Sequence, residues 1–62
     1  MDFEIAYIPQ LIEACGSIVK VGVSWSSEDF AIDEAKRMLA DWYEEGNKVH
    51  ARVDIVKSVI LI

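Results

Sequence analysis

From Glu28 to Glu45 the apolar residues recur with the period of an α-helix, and this segment sets what the rest of the chain can become. At 100° per residue, Ala31, Ile32, Ala35, Met38, Leu39, Trp42 and Tyr43 gather on one arc about 140° wide, a stripe that must be covered by a core. Asp33, Glu34, Arg37, Asp41, Glu44 and Glu45 occupy the opposite arc, and Phe30 is expected to fold back from that side over the preceding strand. Ser26 and Ser27 offer an N-cap, and Ser26 with Asp29 has capping-box spacing. Glu28 and Asp29 suit the positive end of the helix dipole. Gly46 is the expected C′ residue, with Asn47 as a second turn former.

The flanking segments alternate with period two instead. Phe3, Ile5 and Tyr7 read as a half-buried strand that Pro9 should end, because proline cannot donate to a ladder. Gln10–Cys15 reads either as one helical turn or as the end of a long hairpin, closed by Gly16 and Ser17. A second strand is expected over Ile18–Trp25, where Gly22 signals a bulge or a close backbone approach. A third runs from about Lys48 to Lys57, with a kink or bulge at Lys57-Ser58. The last four residues, Val59–Ile62, either extend that strand or pair with a second chain.

The result is one small α+β domain over residues 1–62, ordered ββαβ, with a three-stranded sheet and one long amphipathic helix packed on one face. A strand–helix–strand connection normally makes its two strands parallel. The expectation is therefore a mixed sheet, with the first strand antiparallel beside the other two. Its uncovered face would then expose residues such as Tyr7 or Trp25. A chain this short buries only about 60% of the surface its unfolded form exposes. Cys15 is the sole cysteine, so no intrachain disulfide adds stability. With 53% hydrophobic residues, the chain is expected to form a homodimer or to need an obligate partner.

The helix also carries the whole net charge. Residues 28–45 hold seven carboxylates against Lys36 and Arg37, which gives 2 − 7 = −5, and the remaining residues hold four of each sign. Acidity of this kind disfavours direct contact with nucleic acid or an anionic membrane and favours a basic protein partner. No apolar run is long enough to span a bilayer. The free Cys15 and the acidic first residues, with no signal-peptide pattern, suggest the cytoplasm.

Catalysis is not expected. His50 has no partner at catalytic or metal spacing, Cys15 has no paired histidine and reads as a small buried residue, and glycine-rich phosphate loops are absent. No cofactor or metal site is expected. The candidate partner-binding residues are Asp33, Glu34, Asp41, Tyr43, Glu44 and Glu45. Their bland alternative is a solvated helix face that keeps a small protein soluble. Mixed-sign surfaces do that better than segregated ones, which favours the docking reading. Trp42 lies mid-arc and suits the core, whereas Trp25 and Tyr43 suit core and interface equally.

The run Asp33-Glu34-Ala35, followed by Trp42-Tyr43, Gly46, Val49 and Val53, resembles small acidic phage-encoded inhibitors of host enzymes. It is most similar to the short phage inhibitor of bacterial RNA polymerase, over roughly residues 20–56. In size and charge the chain also resembles phage anti-CRISPR proteins. The resemblance implies a protein that occupies the basic nucleic-acid channel of a host defence or transcription complex and blocks its true substrate. The alternatives are a homodimeric structural or assembly module, and an antitoxin-like subunit that neutralises a basic toxin.

Overall fold

The structure is a computed structural model and describes residues 2–62. Its elements are β1 (Phe3–Glu13), β2 (Ile18–Val21), α1 (Glu28–Glu44) and β3 (Ala51–Leu61). They form the expected α+β arrangement of three strands and one helix, with strand order β2-β1-β3.

Both pairings are antiparallel, so the sheet is not mixed. β2 and β3 do run in the same direction, as the crossover rule requires, but β1 lies between them. The reason is the long ladder that β1 makes with β3, unbroken from Phe3↔Leu61 to Glu13↔Ala51. No kink occurs at Lys57-Ser58, and β3 continues through Val59 and Ile60. That ladder offers far more backbone pairing than β2, four residues long, could supply.

Pro9 does not end β1. Tyr7 exchanges backbone bonds with Trp25, and the Pro9 carbonyl accepts from Gly22 N–H at 2.8 Å, so the odd-numbered residues of β1 direct their backbone groups toward the β2 side. The missing donor of Pro9 therefore faces the stretch where β2 has already left the ladder. The β1–β2 turn follows, with Gly16 N–H on the Glu13 carbonyl and Gly16 at φ 94°. Cys15 lies in this turn and is exposed, contrary to the buried role expected of it. A bulge opposite Leu11 and Ile12 makes Val19 the extra residue of β2.

α1 lies over β1 and β3 and leaves β2 uncovered. Ala31 and Ala35 are its most buried residues, and their small side chains let the helix approach Pro9, Leu11 and the neighbouring strand closely. Trp25 and Tyr7 lie on this covered side, not on the open face. The Trp25 indole reaches the helix, and Tyr7 shares the side of Pro9 and Leu11 by strand alternation. Trp25 also packs on Phe30, with ring centroids 5.7 Å apart, which is the fold-back expected of Phe30. Ser27 is the N-cap residue but makes no side-chain capping bond, so the Ser26–Asp29 box does not form.

The feature that locks helix to sheet is Glu34. Its Oε1 accepts from Trp25 Nε1–H at 2.9 Å and from Val23 N–H at 3.0 Å. A Cβ at position 22 would run into that carboxylate and into the Pro9 ring, 2.7 Å from Cγ, so Gly22 is the close approach its position suggests. Hydrogen bonds to a charged group are each worth about 1.5–3 kcal/mol, so Glu34→Ala is expected to destabilise the fold by about 2 kcal/mol or more. Gly22→Ala should be destabilising too, and less so in the Glu34→Ala background because part of the collision is gone. A double-mutant cycle by urea denaturation checks this; strictly additive effects would refute the contact.

Candidate functional site

The predicted partner-binding residues do not form a single face. Asp41, Glu44 and Glu45 come together at the C-terminal end of α1, all exposed. Asp33 lies two turns back, about 12 Å along the axis at 1.5 Å per residue. There it borders a shallow groove of about 420 Å³ with Trp25, Phe30, Lys36 and Arg37. Tyr43 is on the opposite flank, toward β3, where its hydroxyl accepts from Ala51 N–H at 3.2 Å. Glu34 is corrected from the solvent arc: it is half-buried, and its carboxylate is engaged by Val23 and Trp25.

The acidic cluster sits at the unfavourable end of the helix. The last turn contains no basic residue. Its carbonyls are capped by uncharged donors instead: Glu45 N–H on Asp41 O at 2.9 Å, Gly46 N–H on Tyr43 O at 3.1 Å, and Asn47 Nδ2 on Trp42 O at 2.8 Å. Three carboxylates next to a negative helix pole each cost about 0.3–1 kcal/mol at low salt. None is offset by an ion pair. The salt bridge among the described residues is Arg52–Asp54 on β3, 3.9 Å apart and exposed.

Residues outside the predicted set complete the site. Asp41 and Glu45 border a second groove, about 110 Å³, with Val19, Lys20, Trp42, Met38 and Leu11. From β2, Val19 is exposed beside this groove, whereas Ile18 and Val21, also exposed, pair with Ile12 and Gln10 and so face the side of the sheet away from the helix. Trp42 is only half-buried and is held in place by its indole N–H on the Val49 carbonyl at 3.0 Å. The site is therefore an acidic rim, with Lys20 beside it, next to a small apolar surface made by Val19 and Trp42. The alternation of Ile18–Val23 was visible in the sequence, but the uncovered state of β2 depends on the strand order.

Among the described residues no group of three His, Cys, Asp or Glu side chains is arranged to hold a metal ion, and His50 and Cys15 are both exposed. No helix is long and apolar enough to cross a membrane. No protein-family model matches the chain, and neither a curated protein nor a solved structure matches it.

The helix dipole sets a direct expectation. Glu44→Gln with Glu45→Gln should raise the stability of the free protein by about 0.5–2 kcal/mol, measured by thermal unfolding at low salt. A loss of stability would show that these carboxylates serve the fold.

Proposed function

We propose that the protein is a non-catalytic inhibitor that applies the acidic end of α1 to the basic, nucleic-acid-binding surface of a host defence or transcription complex. In this reading it is phage-encoded, of the anti-CRISPR or host-takeover type, and acts in the host cytoplasm. The observation that carries it is the cluster of Asp41, Glu44 and Glu45, retained where the helix dipole penalises it and, among the described residues, engaged in no salt bridge. Local costs of this kind are expected where a surface serves something other than the fold. Asp33 extends the acidic surface along the helix, whereas Tyr43 lies on the opposite flank, toward β3, and is left outside it.

Carboxylates on a rigid helix can pair with Arg and Lys that otherwise hold phosphates, and opposite charge accelerates the encounter. Val19 and Trp42 beside them supply apolar area that charge pairing alone lacks. Glu34 takes no part, since its carboxylate is already occupied.

The test is capture from bacterial lysate on immobilised protein, with Asp41→Lys, Glu44→Lys and Glu45→Lys combined as the matched variant. Nucleic-acid-binding complexes should be retained at low salt, released by added duplex DNA or RNA, and bound at least about 100-fold more weakly by the triple variant. Retention of the same complexes by the reversed variant, or indifference to competing nucleic acid, would overturn the reading.

A further inference from the structure

The outer edge of β3 has no strand beside it, because β3 ends the sheet order β2-β1-β3. The parity of the ladder shows which groups it offers. Asp2 and Ile62 share a backbone bond, as do Ala14 and His50, so even-numbered residues of β3 bond to β1 and odd-numbered ones point outward. Two of these outward donors are already used: Ala51 N–H by the Tyr43 hydroxyl and Ile55 N–H by its neighbour's Asp54 Oδ1. The edges of Lys57, Val59 and Leu61 have no such cover.

The same end of the molecule projects past the helix. α1 begins beside the Trp25–Tyr7 bridge and ends beside Ala51, so Phe3–Ile5 and Val59–Leu61 form a bare two-stranded arm. Phe3, Val59, Leu61 and Ile62 are each at least 59% exposed. The molecule is accordingly drawn out to 47 × 21 × 12 Å, with a radius of gyration of 13.0 Å against about 10.5 Å for a compact chain of this length. Its accessible surface of 4529 Å² exceeds by about 500 Å² the roughly 4,000 Å² expected for 7.0 kDa. Twice that excess, about 1,000 Å², is the least that a specific interface buries.

We infer that β3 pairs edge to edge with β3 of a second copy, antiparallel, with the two-fold axis at Ser58, to give a continuous six-stranded sheet. Side-chain chemistry suits this register and disfavours two neighbouring ones. An axis at Lys57 sets two ammonium groups opposite each other, and an axis at Asp54 sets two carboxylates opposite; both are unfavourable. An axis at Ser58 places Val56 against the second copy's Ile60 and Ile55 against its Leu61. Lys57 then lies opposite the second copy's Val59, with its ammonium already placed over the Tyr7 ring at 5.9 Å. The paired residues have the same parity, so both helices lie on one side of the new sheet. The outward backbone groups of residues 55, 57, 59 and 61 make about six new hydrogen bonds, the Ile55 N–H of each copy being already held by Asp54 Oδ1. This pairing leaves the acidic end of α1 free and does not rest on the function proposed for it.

Two variants and one measurement test it. Sedimentation equilibrium should show the unaltered chain as a dimer at micromolar concentration. Val59→Pro removes an outward donor and leaves the β1 ladder intact, so it should weaken the dimer at least about 100-fold with an unchanged circular dichroism spectrum. Ser58→Cys, in a Cys15→Ser background, puts two thiols at a non-hydrogen-bonded pair whose Cα atoms are about 4.5 Å apart, within disulfide reach. It should oxidise to a covalent dimer faster than Lys57→Cys in the same background. A chain that is monomeric at about 100 µM, roughly a hundred times the range of a typical specific dimer, overturns the inference. A dimer that survives Val59→Pro undiminished, or the absence of a Ser58→Cys cross-link, also overturns it.

Discussion

The carboxylate of Glu34 ties the fold together. β2 leaves the ladder after Val21, and the chain must still return through Trp25 to reach the helix. Along that return Val23 N–H has no strand partner, and both it and the Trp25 indole N–H donate to Glu34. One side chain from the second turn of α1 satisfies both. It fixes the rotation of the helix about its own axis, which commits Ala31, Ala35 and Met38 to the core. The same rotation turns Asp41 and Glu45 toward β2 and Tyr43 toward β3.

This arrangement divides the seven carboxylates of residues 28–45 by role. Glu28 and Asp29 favour the start of the helix, and Glu34 joins helix to sheet. Asp41, Glu44 and Glu45 do neither and work against the helix dipole. The net charge of −5 is thus less informative than its distribution. The proposed docking surface is the part that the fold does not explain.

Much of the architecture was legible in the chain. The helical stripe located α1 to within a residue of its observed end at Glu44, and Gly46, at φ 91°, closes it as expected. Gly22 signals a bulge or a close approach, and the close approach is what the structure shows, although the sequence does not reveal the group that approaches. That group is Glu34, and a helical wheel places it on the polar arc because the wheel contains no information about Trp25 nine residues earlier. Pro9 misled for a similar reason. A proline breaks a strand only where its missing donor is needed, and here it faces a gap created by a different element. Strand order was beyond local pattern altogether, since it depends on the eleven-residue match between β1 and β3.

The central claim is that the carboxylates at the end of α1 work against the helix dipole and form no salt bridge among the described residues. The melting temperature as a function of sodium chloride, from about 10 mM to 300 mM, tests it most directly, because screening weakens exposed like-charge and charge–dipole repulsion over this range. The account predicts that the melting temperature rises with salt, and rises less in the Glu44→Gln, Glu45→Gln variant. A melting temperature that falls as salt is added would mean that these carboxylates are already paired in the folded protein, and would contradict the account.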